Sequence, residues 1–455
     1  MPGHIRYIIG NEGCERFSFY GMRAILVEFM TASVVATQVG SVPGLGFEAA
    51  NAKAIFHTFV MSLYAFTLIG GYIADRFWGR YKTILYLSLV YCAGHAALAI
   101  WEDTFGLYLG LTLIALGSGG IKPCVSAFVG DQFDDSNRSL VKTVYGLFYW
   151  IINFGSFFST LLTPYLRAHY GNSVAFAVPG ILMALATVIF WLGNKQYTHV
   201  PPAKSPSSFA VILYAAVHQK NRKAGQSFLD VARGRYDTEL VDGVRQALRV
   251  ASLFLPITMF WSLFDQKASY WVLQARQMDL TVHLGFTDIT LQASQVGALN
   301  PALIMMLIPL FTLVIYPWLD RMGISVTPLR RMMLGMFLAG TPFVVVGLIQ
   351  LALDDGQRLN IAWQFIAYLL LTVSEILVST TGLEFAYTQA PRKMKSMIMA
   401  LWSVSTALGN GVTAIVAKAN VFTTATSFFF FAALMLVAAG FFFILARRFQ
   451  AQEAR

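Results

Sequence analysis

Stretch after stretch of this chain is apolar and about as long as a bilayer crossing requires at 1.5 Å per residue, with short polar turns between. The pattern predicts twelve spans, at roughly 6–36, 53–75, 82–101, 105–129, 143–167, 174–194, 250–275, 294–318, 329–352, 360–388, 395–418 and 425–446. One long polar interval breaks the series. Residues 195–249 open with P-P-A-K-S-P-S-S and hold nine Lys/Arg against four Asp/Glu; their one apolar run, 209–217, is too short to span. The expectation is an all-α membrane protein: a six-helix bundle over 1–194, a cytoplasmic linker with short surface helices over 195–249, and a second six-helix bundle over 250–455.

Composition agrees with the pattern, since 56% of the 455 residues are hydrophobic and only 12% are charged, about half the share usual in soluble domains. The net charge of +10 raises the possibility of a nucleic-acid surface, which the placement of the bases argues against. They gather in alternate loops: Arg76, Arg80 and Lys82; then Arg321, Arg330 and Arg331; then Arg392, Lys393 and Lys395; then Arg447 and Arg448. The intervening loops are poor in base: 39–52 has none, 102–104 is Glu-Asp-Thr, and 353–359 sets Asp354 and Asp355 against Arg358. The positive-inside rule then puts both termini and the linker in the cytoplasm. The first segment lacks a short apolar core with a small-residue cleavage site, so it is expected to remain as a span. Cys14, Cys92 and Cys124 lie within spans without metal-type spacing and read as packing residues, leaving no metal or cofactor expected.

Charges inside the spans carry the chemistry. In E-G-C-E-R-F-S-F-Y-G-M-R (12–23), Glu12, Arg16, Tyr20 and Arg23 fall within about 80° on one helical face, with Glu15 beside them. Each charge at bilayer depth costs about 2.5–3.5 kcal/mol, so four facing lipid would oppose insertion by roughly 10 kcal/mol. The stripe must face a wet or protein-lined interior. Lys122 follows Gly117, Gly119 and Gly120, which admit a close neighbouring helix, and precedes the kinking Pro123. Glu375 in span 10 and Asp265 in span 7 each need a partner or a proton role, with Lys267 a rival local partner for Asp265. Asn153 and Asn300 sit mid-span, either as glue between helices or as ligand contacts. By depth, Arg23 matches Asp265, both about fifteen residues and roughly 22 Å from the cytoplasmic ends of their spans. Lys122 and Glu375, about eight and thirteen residues above the cytoplasm, make a second pair. Two ionic locks at different depths are what alternating access needs.

Several motifs resemble those of one family. E-G-C-E-R-F (12–17) is similar to the E-x-x-E-R-F motif of proton-dependent oligopeptide transporters, a branch of the major facilitator superfamily. F-Y-W-I-I-N-F-G-S (148–156) resembles that family's fifth-span signature, and G-L-E-F-A-Y-T-Q-A-P-R-K-M-K-S (382–396) its signature after span 10. G-S-G-G-I-K-P (117–123) and A-D-R-F-W-G-R-Y-K-T (74–83) match as well, and the D-R-x-x-G at 75–79 is echoed by D-R-x-G at 320–323. Two features depart. The linker has no room for the two extra helices of many bacterial members, and Phe19 stands where those members often have a second tyrosine.

The residues and the resemblance lead to the same expectation: a symporter importing di- and tripeptides, with protons as the coupling ion. Arg23 and Lys122 would take the peptide carboxylate, and Asn153, Asn300 and Glu375 its ammonium. Tyr20, Tyr64, Trp261, Phe264 and Trp402 would form tolerant aromatic walls. Arg23 with Asp265 and Lys122 with Glu375 would be the gates, while Glu12, Glu15, Arg16 and Glu375 would handle protons. His57 resembles a histidine of animal members and is expected to face the cavity and load protons, or else simply to pack helices together. The resemblance implies a bacterial inner (plasma) membrane and contact with lipid; the sequence carries no signal for an oligomeric state. Seven histidines without H-E-x-x-H, and no Ser–His–Asp clustering, speak against an enzyme. The asymmetric motifs of the two halves speak against a channel filter. A nitrate, amino-acid or other organic-anion carrier of the same fold is the alternative, and nitrate would leave Glu375 without an ammonium to meet.

Overall fold

Helices carry nearly all of the chain, as they must where no water is present to satisfy backbone groups. The computed structural model describes residues 3–35, 42–133, 140–202, 208–218, 228–283, 285, 287–324, 326–389 and 395–453. Through the first half run α1 (Ile5–Thr31), α2 (Ala49–Ile73), α3 (Gly79–Ile100), α4 (Thr104–Asp131) and the long α5 (Val141–Leu192). The linker holds α6 (Ser208–His218) and α7 (Thr238–Ser252). The second half comprises α8 (Phe254–Phe264), α9 (Tyr270–Ala275), α10 (Leu299–Leu310), α11 (Tyr316–Arg321), α12 (Pro328–Leu338), α13 (Thr341–Asp354), α14 (Ala362–Glu375), α15 (Thr381–Gln389), α16 (Lys395–Ala419) and α17 (Thr424–Glu453). Between α9 and α10, β1 (Thr281–His283) and β2 (Asp288–Thr290) form an antiparallel hairpin. It marks one end of the molecule, and the linker marks the other.

Nine segments among the described residues are long and apolar enough to cross a membrane. Two of these, Ala49–Ile100 and Thr143–Gln196, run to 52 and 54 residues, length enough for two crossings each. The second turns back at Gly171, whose φ of +87° suits a residue without a Cβ. With the 27 residues of α1, the segments accommodate the twelve predicted spans. The ends differ in places. Helix α1 stops at Thr31 rather than near 36, because the chain folds back and Leu45 N–H bonds the Phe29 carbonyl. Span 7 breaks into a short 3-10 turn over Asp265–Ala268, and span 10 widens into a π turn just after Glu375.

Buried apolar side chains form two clusters, one drawn from residues 5–197 and the other almost wholly from 212–449. Helix α1 lies along α5, α3 along α4, and α2 against α16 of the other half. The glycines before Lys122 act as predicted. A Cβ on Gly70 of α2 would stand 2.3 Å from the Gly120 backbone of α4, so the two helices meet backbone to backbone. Helix α7 departs from a surface helix by burying Val241, Val244, Ala247 and Val250, one face at helical spacing, in the second cluster. Its outer face carries ion pairs from Arg245 to Asp230 (2.5 Å) and from Arg233 to Asp242 (2.6 Å). Arg392 and Lys393 of the expected basic loop lie outside the described residues. A cavity of about 1100 Å³ opens between α2, α4 and α16, lined by Phe59, Phe66, Tyr108, Leu111 and Ile415. Its lining is chiefly apolar, with Lys418 of α16 at its edge, and Glu12, Glu15, Arg16, Arg23, Lys122, Asp265 and Glu375 are not part of it.

Candidate functional site

Helix α1 turns its charged stripe inward. Glu12, Glu15, Arg16 and Arg23 are all buried, as the insertion cost requires. Arg16 Nε lies 2.8 Å from Glu12 Oε1 and 2.5 Å from Glu15 Oε2, so one cation serves two carboxylates. From α4, the Ser118 hydroxyl donates to Glu15 at 3.5 Å. Lys122 stands one turn further along, and the charges bearing on it come from Arg16, Glu15, Arg23 and Glu12 of α1. Its Nζ lies 3.5 Å from the Tyr64 hydroxyl, 4.6 Å from the Tyr64 ring centroid and 4.9 Å from that of Phe19. Phe19 thus supplies a ring face to a cation where a tyrosine would add a hydroxyl. Tyr20 packs edge-on against it.

Arg23 is ion-paired with Asp265, as their matching depths predicted. The pair belongs to a chain of bonds. Asn410 Nδ2 donates to the second Asp265 oxygen at 2.8 Å, and Asn410 Oδ1 lies 2.8 Å from His57 Nδ1. His57 Nε2 lies 2.8 Å from the Ser269 hydroxyl. Asn410 presents its oxygen to His57, so Nδ1 carries the hydrogen in the neutral ring and Nε2 accepts from Ser269. A proton added at Nε2 would turn Ser269 from donor to acceptor, and its positive charge would bear on Asp265 and Arg23 through Asn410 without the proton itself passing along. His57 is fully buried, which departs from the expected cavity-facing position; both ring nitrogens are already engaged. Glutamine at position 57 keeps a donor and an acceptor but cannot titrate. In His57→Gln, the pH profile of driven uptake is expected to flatten; a profile identical to wild type contradicts a proton role for this residue.

The second expected pair does not form in this conformation. Among the described residues no ion pair joins Lys122 to Glu375. Glu375, half-buried, instead accepts a 2.7 Å bond from Asn300 Nδ2, which also donates to Thr372 at 3.0 Å. Asn300 Oδ1 accepts from Lys267 Nζ at 2.7 Å, so Lys267 serves Asn300 and leaves Asp265 to Arg23. The separation has a physical reason in where the two halves are tied. Bonds from Arg276 to Thr31 (2.8 Å), Lys418 to Asn51 (3.1 Å), Ser294 N–H to Glu28 (3.0 Å) and Gln295 to the Leu161 carbonyl (2.7 Å) all lie toward the hairpin end. Arg23 and Asp265 sit on that closed side, and Lys122 and Glu375 lie nearer the linker. Among the described residues no hydrogen bond joins Asn153 to Asn300 or Glu375; its amide donates to the Tyr149 carbonyl of its own helix at 3.0 Å.

Of the five expected aromatic residues, the three of the second half lie together, while Tyr20 and Tyr64 stand by Phe19 and Lys122. Trp261 meets Phe264 edge-on at 5.6 Å and Trp402 at 6.1 Å, and Phe264 lies under Lys267, whose Nζ is 3.2 Å from the ring centroid. Asn410 and Ser269 are neutral residues that stand out only through their partners. Glu28 is a further buried charge, its carboxylate 3.4 Å from Arg167 and receiving Ser294 from the other half. Glu28 and Arg167 share the signal of the stripe residues, a charge inside an apolar segment. At the exposed hairpin, Asp288 holds His283 above the usual histidine pKa through a 2.8 Å contact.

Residues 81–433 match the POT family, PTR2. Human "Solute carrier family 15 member 2" is 36% identical over 407 residues, 84% of this chain and 54% of that protein. "Peptide transporter family 1" of Drosophila melanogaster is 39% identical over 375 residues, 78% and 48% of the respective chains. The chain therefore spans about half the length of the curated relatives it matches. Solved structures match it almost end to end. An auto-inhibited POT family peptide transporter is 44% identical, with a TM-score of 0.87 over 98% of this chain and 97% of that one. The POT family transporter PepTSo is 42% identical, with a TM-score of 0.88 over 99% of each. This multi-pass membrane chain, with its major-facilitator arrangement of helices, belongs to the POT family.

Proposed function

We propose that the protein is a proton-coupled symporter of di- and tripeptides, working by alternating access between bundles over 1–194 and 250–455. The observation that carries this reading is the division of charge. Lys122 stands on α4 beside Arg16 and Arg23, while Glu375 with Asn300 stands on α14 and α10. A zwitterion a few residues long matches both: its carboxylate is drawn to Lys122 and Arg23, and its ammonium to Glu375. Trp261, Phe264 and Trp402 offer faces rather than fixed hydrogen bonds, which suits variable side chains. The names of the relatives, peptide transporters in both flies and solved structures, support the same substrate class.

On this reading Arg23 and Asp265, which are ion-paired, form the closed gate, and Lys122 and Glu375, which are not, form the open one. The basic loops support a cytoplasmic linker end, and with it cytoplasmic termini and a sealed outward side. The setting is a bacterial inner membrane. Proton entry runs through the His57 chain, and release through Glu375 and the Glu12–Glu15–Arg16 cluster. No enzymatic step enters this account. The substrate class is tested by uptake of labelled di-alanine into proteoliposomes. Excess tri-alanine is expected to compete, and free alanine and nitrate to leave uptake unchanged. Competition by nitrate or free alanine alone would favour an anion or amino-acid carrier.

A further inference from the structure

Lys267 has no part in either gate, yet its ammonium lies at the amine end of the site. The residue belongs to the short turn over Asp265–Ala268 that breaks span 7, and Tyr368 fixes that turn by donating to the Lys267 carbonyl at 3.3 Å. The break aims the side chain across the Phe264 ring to Asn300 Oδ1, at 2.7 Å. Asn300 is the hinge of the arrangement. Its amide nitrogen holds Glu375 at 2.7 Å while its oxygen is already occupied by a cation belonging to the protein. Lys267 and Glu375 therefore stand on opposite sides of one carboxamide, a positive and a negative charge separated by a single side chain.

This has a consequence for any ligand whose ammonium is drawn to Glu375. The ammonium brings a second positive charge close to Lys267 in a partly desolvated space, where like charges repel more strongly than in water. A carboxylate on the same ligand residue would pair with Lys267 and remove the conflict, whereas a basic side chain would add a third positive charge. We infer that Lys267 is a specificity-determining residue: it favours peptides whose first residue bears a carboxylate and disfavours those whose first residue is basic. The inference rests on the peptide reading above and adds a side-chain preference at the amine end.

The test is competition against labelled di-alanine uptake in proteoliposomes, by Glu-Ala and by Lys-Ala, at a pH where both side chains are charged. In the wild type, Glu-Ala is expected to compete about tenfold more strongly than Lys-Ala. Lys267→Gln keeps a donor for Asn300 and removes the charge, and should bring the two competitors to within about threefold, mainly by improving Lys-Ala. Lys267→Arg keeps the charge and should preserve the preference, which separates a charge effect from a packing effect. If di-alanine is taken up but the ratio is the same in wild type and Lys267→Gln, or absent in the wild type, the assignment of Lys267 is overturned. If the wild type takes up no di-alanine, the peptide reading fails and this inference falls with it.

Discussion

Glu375→Gln is expected to abolish pH-gradient-driven accumulation while leaving peptide counterflow in place. The side-chain carbonyl of glutamine can still accept from Asn300 Nδ2, so the geometry around Asn300, Thr372 and Lys267 survives. What is lost is a group able to exchange a proton, together with the charge that draws the peptide ammonium. The amide oxygen still accepts from that ammonium, so counterflow is weakened and not abolished. In the proposed cycle, Lys122 and Glu375 close on one another when the linker end shuts, and the lysine then favours the ionised carboxylate. A peptide carboxylate that competes for Lys122 leaves Glu375 less compensated, and proton uptake becomes favourable. Each tenfold of coupling corresponds to about 1.4 kcal/mol, so a hundredfold link needs roughly 2.7 kcal/mol, within the reach of one buried carboxylate. Accumulation at the wild-type level in this variant would remove Glu375 from the coupling step. Loss of counterflow together with accumulation would make holding the peptide ammonium, and not proton exchange, the indispensable role of Glu375.

Arg23→Lys is expected to reduce transport by about tenfold to a hundredfold, although the charge is retained. Arg23 pairs with Asp265 and has its guanidinium carbon 5.1 Å from the Phe56 ring centroid. Lysine offers one point charge where arginine spans a carboxylate and stacks on a ring. Asp265 would keep its Asn410 bond and lose the better of its partners. Exchanging the two charges is a weaker rescue than depth alone suggests, because Asn410 Nδ2 would then face a guanidinium, donor against donor. Initial uptake rates in proteoliposomes of matched protein content give the reading. Wild-type rates in Arg23→Lys would count against both its gate role and its carboxylate role.

Much of this was legible in the residues because lipid makes charge expensive. Glu12, Glu15, Arg16, Arg23 and Asp265 could be picked out as interior, and the pairing of Arg23 with Asp265 followed from counting rise along two spans. The same count for Lys122 and Glu375 differed by about five residues, roughly 7.5 Å of rise, and counting cannot say which end of a two-state carrier is shut. Their separation depends on the bonds at the hairpin end, made by residues as ordinary in sequence as Thr31, Asn51 and Gln295. His57 could be noticed but not placed, since its burial comes from Asn410 and Ser269, more than two hundred residues away. The turn of Lys267 away from Asp265 toward Asn300 was equally hidden. It depends on a break in span 7 at Asp265–Ala268, where Asp265, Gln266 and Lys267 interrupt the apolar run without showing whether the helix bends there or continues.

Coupling of peptide entry to proton entry is read in proteoliposomes with a pH dye trapped inside. External di-alanine is added with no pH gradient imposed and the membrane potential clamped at zero. The account predicts that the lumen acidifies as peptide enters, and that the same addition to Glu375→Gln vesicles produces no acidification. Peptide entry with no change in luminal pH in the wild type would contradict it.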